Sequence, residues 1–227
     1  MVRLRLLMML MPTLMLVGCD SKSFRPDWTI NDYEYLETQG FNVLVFHNNY
    51  PVGDQGGIEF IHHGERTASN GFINIDLPGS ERFPHPETAE RVIDRDRNEI
   101  RARVSATGHD FGYTLKVWPE AGSIHLVVDL DKPLPAEWEG RATFDLQLFP
   151  VTYRGKTYHL GDRSGLIPME GLDRMVTGPG DGFKPEPLAT GKKLIIAPED
   201  HFCKLQIEQV NGELSLIDER NSSLSGW

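Results

Sequence analysis

The chain has 227 residues and a formal net charge of −10, with 23 lysines and arginines against 33 aspartates and glutamates. A chain of this length can form one large β domain or two small ones, each with a sizeable core. The acidic balance argues against binding of nucleic acid and against electrostatic adhesion to anionic lipid, because both need clustered cationic charge.

The N-terminus has the pattern of a secretory signal. Arg3 and Arg5 supply positive charge, and a mostly apolar stretch of twelve residues follows over 6–17. Twelve helical residues cover about 18 Å, whereas the hydrocarbon core of a bilayer is roughly 30 Å thick. The stretch is therefore predicted to direct export and not to span the membrane.

The residues that end this stretch, 16–19 (LVGC), resemble the lipobox of bacterial lipoproteins. The resemblance implies that residues 1–18 are removed and that lipid is attached to the thiol and the new amino group of Cys19. Several acyl chains, at about 0.8 kcal/mol per buried methylene, hold a protein firmly on a bilayer. We therefore expect a membrane-anchored lipoprotein, either periplasmic or on the cell surface. An ordinary cleaved secretory signal is the alternative.

The segment 19–31 is polar and contains one proline, which predicts a tether between the anchor and a β-sandwich domain over 32–227. If Cys19 is acylated, Cys203 has no disulfide partner within the chain. Because Cys203 follows Phe202 and precedes an apolar alternation, we expect it to be a buried, unreactive thiol.

Apolar and polar residues alternate with the period of a β-strand through most of 32–227. The predicted strands lie at 41–46, 58–60, 72–75, 98–104, 113–117, 124–130, 144–148, 194–196, 205–207 and 214–216. Glycines and prolines separate them at the spacing expected of a sandwich. The predicted fold is therefore all-β, an antiparallel β-sandwich with two large sheets of the supersandwich type.

Turn motifs and strand order predict which strands pair. The segment 62–66 is expected to be a hairpin turn, and the Asn-Gly pair at 70–71 is expected to open the next strand. The three strands between 98 and 130 are expected to form an antiparallel meander, which 144–148 extends. The Asn-Gly pair at 211–212 is expected to close a hairpin between the last two strands.

Three segments depart from this pattern. Residues 86–95 contain the one candidate for a helical turn, and 161–187 is rich in glycine and proline without a sustained period. A loop that long in a compact domain is usually functional or mobile. Residues 94–98 (DRDRN) lack the glycine and the distant glutamate of a calcium loop, so we expect a solvated hairpin turn with internal ion pairs.

The histidines form no recognisable metal or catalytic motif. His62 and His63 are adjacent, so on a strand they point to opposite faces and are not expected to bind one metal ion. His109 and Asp110 lie in a predicted turn, where an exposed loop is the expected structure. The sequence therefore predicts no catalytic residue, no metal and no cofactor.

Exposed aromatic rings and carboxylates are the groups that bind sugars. Trp138 lies in an apparently exposed turn and is a candidate platform for a sugar ring, with packing or edge-capping as the alternative. Asp129 and Asp131 share a strand face and are the candidate carboxylate partners, although Asp131 also fits an ordinary turn that ends a strand.

Seven strings resemble the N-terminal region of bacterial family nine glycoside hydrolases, the cellulase or endoglucanase type. They are 32–36 (DYEYL), 40–50 (GFNVLVFHNNY), 56–59 (GGIE), 63–66 (HGER), 127–135 (VVDLDKPLP), 144–150 (FDLQLFP) and 197–200 (APED). In that family the β region precedes an immunoglobulin-like module and an (α/α) barrel that carries the catalytic carboxylates. Nothing in this chain resembles the barrel, so no catalytic residue is carried over. Three expectations stay open: a truncated gene, a split gene whose catalytic domain is encoded separately, or a free-standing module.

Together these features predict a lipid-anchored, non-catalytic β-sandwich portion of a polysaccharide-degrading hydrolase, which orients or binds a β-glucan. Two alternatives stay open. One is an active glycan-processing enzyme whose site includes His109, Asp110 and the 161–187 loop. The other is a structural spacer that supports a separate catalytic domain.

Overall fold

The computed structural model describes residues 27–50, 56–75, 89–105, 110–172, 175–177 and 183–220. The predicted signal peptide, Cys19 and His109 lie outside these ranges. Neither the α-helix nor the 3-10 helix of the described residues has the length and the hydropathy that crossing a membrane requires.

Eighteen strands make up nearly all of the secondary structure in these ranges. The first nine are β1 (Thr29–Ile30), β2 (Leu36–Thr38), β3 (Phe41–Val45), β4 (Ile58–His62), β5 (Glu65–Ile75), β6 (Ala89–Asp94), β7 (Glu99–Ser105), β8 (Gly112–Glu120) and β9 (Ser123–Leu130). The others are β10 (Ala142–Leu148), β11 (Thr157–Leu160), β12 (Arg163–Leu166), β13 (Met175–Thr177), β14 (Phe183–Pro185), β15 (Ala189–Gly191), β16 (Lys193–Ile196), β17 (Leu205–Glu208) and β18 (Leu214–Leu216). A 3-10 helix (Ala136–Trp138) and the helix α1 (Pro150–Tyr153) are the helical elements.

Two antiparallel sheets pack face to face around the larger core. One has six strands in the order β1-β2-β3-β4-β5-β10, and the other is the meander β6-β7-β8-β9. Alternate residues of the meander point inward, so Ile100, Ala102 and Leu115 are fully buried. They share one hydrophobic cluster with Val43 and Ile58 of the six-stranded sheet. The prediction of an all-β, antiparallel sandwich is confirmed.

A second hydrophobic cluster forms in the C-terminal part of the described chain. It contains residues of the sheet β12-β11-β16-β17 and of the pair β15-β18. Tyr153, Leu160 and Ile196 are buried in it, and Phe60 of β4 packs against both clusters. Cys203 is free and buried in this cluster, and burial raises the pKa of its thiol. The expected buried position of Cys203 is therefore confirmed.

The sequence predicted that β10 extends the meander, and this prediction is wrong. The strand pairs with β5 of the other sheet, with Ala142 opposite Ile75 and Phe144 opposite Ile73. The physical reason is that the 3-10 helix after β9 carries the chain over the core, with Trp138 buried there. The chain therefore reaches the free edge of β5 and not that of β9.

The predicted hairpin at 211–212 is also wrong. The strand β17 pairs with β16, and β18 pairs with β15 instead. This pairing places Leu216 opposite Ala189, and both side chains are buried in the second cluster. Burial of these side chains therefore decides the partner, although the Asn-Gly pair favours a tight turn.

The predicted hairpin turn at 62–66 is present, but the Asn-Gly pair at 70–71 does not open a strand. The hairpin from β4 to β5 turns at His63 and Gly64, both with positive φ. The Asn-Gly pair at 70–71 lies inside β5, an unbroken strand of eleven residues, at an irregularity where Asn70 has a φ of 57°. A residue in this conformation bulges a strand and bends it without ending it.

Two of the three segments predicted to depart from the β pattern, 86–95 and 161–187, contain strands. Within 86–95, residues 89–94 form β6, which pairs along its whole length with β7, so the predicted helical turn is wrong there. Residues 86–88 lie outside the described ranges. The segment 161–187 contains β12, β13 and β14, and is therefore not one irregular loop.

Replacement of Leu115 by alanine should lower the free energy of unfolding by about 2–5 kcal/mol, because it leaves a cavity in the core of the sandwich. Leu115 is 0 % exposed, whereas Leu166 on β12 is 63 % exposed. Leu166→Ala is the matched control and should change stability by less than about 0.5 kcal/mol. Urea unfolding followed by tryptophan fluorescence measures both. Equal effects would contradict the assignment of the core.

Candidate functional site

The turn between β1 and β2 holds an exposed aromatic ring in a fixed backbone. The Oδ1 of Asn31 accepts hydrogen bonds from the backbone N–H groups of Tyr33 and Tyr35, each at 3.0 Å. The backbone N–H of Glu34 donates to the carbonyl of Asn31, also at 3.0 Å. An asparagine favours such a turn because its side chain substitutes for a backbone acceptor. Tyr33 at the tip of the turn is 73 % exposed.

Tyr33, Tyr35 and His47 form a row that we call the tyrosine ridge. The rings of Tyr33 and Tyr35 are stacked, with centroids 6.0 Å apart and planes 28° apart. The ring of His47 meets Tyr35 edge-on, with centroids 4.7 Å apart. Because Tyr35 stacks on one side of Tyr33, the other face of the exposed Tyr33 ring is open to solvent.

Two arginines of β6 and the following turn clamp the turn that carries the ridge. Arg91 donates from Nη1 to Glu34 Oε2 at 2.8 Å and from Nε to the carbonyl of Val45 at 2.8 Å. Arg95 donates from Nη1 to the carbonyl of Asn31 at 3.0 Å. The planar guanidinium has five N–H donors, so one side chain joins several acceptors at once. The meander and the turn are therefore held as one piece.

A buried glutamate on β4 lies at the centre of a second group, the glutamate cluster of Asn48, Tyr50, Glu59 and Arg66. Glu59 is 1 % exposed. Tyr50 donates from its hydroxyl to Glu59 Oε1 at 2.6 Å, and Asn48 donates from Nδ2 to Oε2 at 2.9 Å. Arg66 Nε lies 3.1 Å from Oε2 as an ion pair, at an angle that makes no hydrogen bond. A buried carboxylate needs such partners, because leaving it bare costs several kcal/mol.

The backbone at Gly56 closes over the carboxylate of Glu59. A Cβ at this position would lie 1.9 Å from Glu59 Oε1, so only glycine fits. The N–H of Gly56 donates to the carbonyl of Asn48 at 3.0 Å, and Asn48 Oδ1 lies 3.2 Å from His47 Nδ1. The cluster is therefore linked to the ridge, and its carboxylate is enclosed by the loop.

Burial raises the pKa of Tyr50 to about 12. Its hydrogen bond to Glu59 and the negative charge of that residue contribute in the same direction, while the positive charge of Arg66 opposes them. Both oxygens of Glu59 are occupied and shielded from solvent. The cluster is therefore suited to holding the loop in place and not to reacting with a substrate.

Trp138 is buried, contrary to the prediction of an exposed turn. It is 4 % exposed and meets Phe111 edge-on, with centroids 5.1 Å apart. The 3-10 helix directs the indole into the core of the sandwich. A ring in this position has no face open to a sugar.

Asp129 and Asp131 lie on the outer face of the meander, each beside a cation. Lys116 pairs with Asp129, and Arg103 Nη2 lies 3.3 Å from Asp131 Oδ2. Gly112 packs so closely that a Cβ there would lie 2.7 Å from Asp131 Oδ2. Both aspartates are therefore part of an ion-paired sheet surface, and their role in binding sugar stays a prediction.

The predicted histidine and aspartate candidates occupy separate surroundings. His62 is buried, with Nδ1 2.7 Å from Thr67 Oγ1, whereas His63 meets Phe202 edge-on with ring centroids 5.0 Å apart. Asp110 pairs with Lys132. In the ranges that the structure describes, no three histidine, cysteine, aspartate or glutamate side chains lie close enough to hold a metal ion.

The ridge and the glutamate cluster were not identified as a site from the sequence. One available signal was a charged residue, Glu59, between the apolar residues Ile58 and Phe60 and shortly after the glycines at 56 and 57. A second was the repeated spacing in which a tyrosine follows a turn-forming asparagine by two residues, as Tyr33 follows Asn31 and Tyr50 follows Asn48. Glu59, Asn48 and both tyrosines fall inside the strings that carry the family resemblance.

No protein-family model, curated protein or solved structure matches this chain. What the fold and the site geometry define is an all-β sandwich with a rigidly held, exposed aromatic ridge. The resemblance to family nine glycoside hydrolases rests on the seven sequence strings alone.

The free energy of unfolding should fall as the pH rises from 10 to 12, and Tyr50→Phe should make this fall smaller. In the native protein the raised pKa keeps Tyr50 protonated above pH 10, while the unfolded chain releases that proton. Stability linked to Tyr50 is therefore complete below pH 10 and lost as the pH rises towards 12. Urea unfolding at pH 8, 10 and 11 measures the slope for both proteins.

The variant Glu59→Gln tests the cause of this shift. It removes the negative charge but keeps the burial, so its slope should fall between those of the wild type and Tyr50→Phe. Identical slopes in all three proteins would show that Tyr50 does not have the raised pKa.

Proposed function

We propose that this chain is a non-catalytic β-sandwich that binds polysaccharide and is held at a membrane by lipid on Cys19. The observation that carries the proposal is the exposed ring of Tyr33 in a turn fixed by hydrogen bonds. A sugar presents an apolar patch of C–H groups that stacks on an aromatic face, while its hydroxyls bind neighbouring polar groups.

The rigidity of the turn favours a binding role over an incidental exposed side chain. Asn31, Arg91 and Arg95 all hold the backbone or the side chains of the turn. The ring gains little hydrophobic stabilisation, since Tyr33 is 73 % exposed. Because the backbone of Tyr33 is already held by a hydrogen bond, a ligand has only the side chain to order, and a tyrosine side chain has few rotatable bonds.

The family resemblance points to the same region and to the same class of ligand. Tyr33, Tyr35 and His47 lie inside two of the strings shared with the N-terminal region of family nine glycoside hydrolases. That resemblance implies a β-glucan as the ligand and a separately encoded catalytic domain as the partner. The protein would then hold the polymer near the enzyme that cleaves it.

The surroundings of the carboxylates support a non-catalytic role. Hydrolysis of a glycosidic bond uses two carboxyl groups on either side of that bond, one of them kept protonated. Asp129 and Asp131 project from one open sheet face beside cations, and Glu59 is enclosed. None of the three has the position of a general acid beside a substrate.

Tyr33→Ala should abolish retention of the purified protein on insoluble β-glucan, because it removes the stacking face. Tyr33→Phe keeps the ring and should retain most of the binding. Phe202→Ala is the matched control, since Phe202 is also exposed, at 56 %. A co-sedimentation assay measures all four proteins. Retention of Tyr33→Ala at the wild-type level would refute the proposed site.

Cys19→Ala should release the protein from the membrane fraction, because the acyl chains are its expected attachment. Cys203→Ala is the control, since that thiol is buried and free. Fractionation with and without detergent distinguishes the two variants. Membrane association of Cys19→Ala that still requires detergent would disprove anchoring through Cys19.

A further inference from the structure

The strand β9 is the longest of the strands that end a sheet in the described ranges. It has 8 residues and lies at one end of the meander, with β8 as its partner among the described strands. Its register with β8 runs without a shift from Ser123 to Leu130. The outer edge of β9 is therefore a regular row of backbone N–H and C=O groups that another strand can pair with.

The other edge strands have features that prevent pairing with a second chain. β1 has 2 residues, and β12 and β17 have 4 each. β10 has a register shift between Asp145 and Gln147, and β6 contains glutamate, arginine and aspartate. Short length, irregularity and charge are common protections of a sheet edge, as are lysine and proline. The sequence of β9, SIHLVVDL, contains neither lysine nor proline.

The side chains of β9 that face the core are covered incompletely. The register places Val128 beside Leu115 and Leu126 beside Val117. Leu115 and Val117 are fully buried, whereas Leu126 and Val128 are only partly buried. Leu130, further along the same face, is 39 % exposed. The apolar core therefore reaches the edge of β9 and is partly exposed there.

The sequence of β9 is complementary to itself about Val127. When two copies of the strand are paired antiparallel with Val127 opposite Val127, His125 lies opposite Asp129 on both sides of the centre. Leu126 then lies opposite Val128, so the inward face pairs apolar with apolar. Side chains directly opposite each other have Cβ atoms about 4.5–5.5 Å apart and interact. In the neighbouring registers that keep the same face inward, Val127 lies opposite His125 or Asp129 and the polar pairs are lost.

The outer side chains are accessible for these contacts. The side chains of His125 and Asp129 are 43 % and 49 % exposed, and Val127 between them is 38 % exposed. Within one copy, His125 Nε2 lies 3.7 Å from Glu120 Oε2, and Asp129 pairs with Lys116. A carboxylate has about four lone-pair sites, so Asp129 can accept from Lys116 and from the imidazole of a second copy together.

We infer that a second copy of this chain docks on the outer edge of β9 by antiparallel pairing about Val127. The two four-stranded meanders then form one continuous sheet. Because both copies use the same surface, the assembly closes as a dimer. The inference does not depend on the proposed polysaccharide site, since the turn that carries Tyr33 contacts Arg91 of β6, at the other end of the meander.

Val127→Cys tests the register, because a twofold axis places this residue opposite itself. The Cα atoms of opposite residues are about 4.5–5.5 Å apart, which is within the range for a disulfide. Mild oxidation of the full-length protein should therefore give a disulfide-linked dimer on a non-reducing gel.

Leu130→Cys is the matched control, because Leu130 is as exposed as Val127, at 39 % against 38 %. In the proposed register the two copies of residue 130 are six strand residues apart, about 20 Å, and should not be linked. Both variants keep Cys19 and Cys203, so a background from those thiols is equal in the two. A dimer yield from Val127→Cys that is no higher than that from Leu130→Cys overturns the inference.

Val127→Lys tests the association without a new covalent bond. It places two ammonium groups at the twofold axis, where like charges oppose pairing. The dissociation constant of the dimer, measured by sedimentation velocity of the full-length protein in a non-ionic detergent, should rise by at least about tenfold. Val210→Lys is the matched control, because Val210 is 85 % exposed, follows β17 and gives the same change of charge. Urea midpoints show whether both variants are folded.

The remaining outcomes are equally decisive. A wild type that stays monomeric at its highest soluble concentration refutes the dimer, and it indicates that other residues of the chain or a different partner cover the edge. Equal dissociation constants for Val127→Lys and Val210→Lys show that the copies meet elsewhere, which also refutes it. Tyr33→Ala should dimerise as the wild type does, so loss of glucan binding and loss of the dimer are separate results.

Discussion

The pairing of β10 with β5 is the constraint on which the rest of the structure depends. It returns the chain from the meander to the six-stranded sheet, and it is reinforced by side-chain hydrogen bonds from Asn74 to Asp145 at 2.8 Å and from Asn70 to Gln147 at 2.7 Å. This connection keeps the two sheets packed against the same hydrophobic core. The N–H of Phe149 then donates to the carbonyl of Thr67 at 3.0 Å, which starts the second cluster beside the first.

The candidate site lies at the opposite side of the six-stranded sheet, where β1 and β2 form the edge. An edge turn is normally the least restrained part of a sheet. Here the meander restrains it, because Arg91 of β6 and Arg95 of the following turn donate hydrogen bonds to Glu34 and Asn31 in the β1–β2 turn. The position of the Tyr33 turn therefore depends on the packing of both sheets, although Asn31 and Tyr35, which contact Tyr33, are close to it in sequence.

Local features of the fold were predictable, and long-range ones were not. The meander follows from the period of three consecutive strands, and the hairpin at His63 follows from a short turn motif. The partners of β10 and β18 depend on which distant edge is free and on which side chains are buried together. Trp138 is another example. The sequence predicted an exposed turn, but the 3-10 helix buries the Trp138 side chain in the core. The tyrosine ridge was not predictable for the same reason. Tyr35 contacts Tyr33 on one side and His47 on the other, and the contact with His47 depends on how the chain folds and not on proximity in sequence.

The small size of the site bears on how the protein would work at a membrane. One stacked ring, worth about 0.5–1.5 kcal/mol beyond its buried area, and a few hydrogen bonds give only weak binding of a single site. If lipid on Cys19 holds many copies on one surface, a long polymer meets several sites at once, and each further contact forms within the same complex. The length of chain between Cys19 and β1 then sets how far each site can reach. Weak sites on many anchored copies would retain a polymer strongly while releasing any one segment of it quickly enough for a neighbouring enzyme to act.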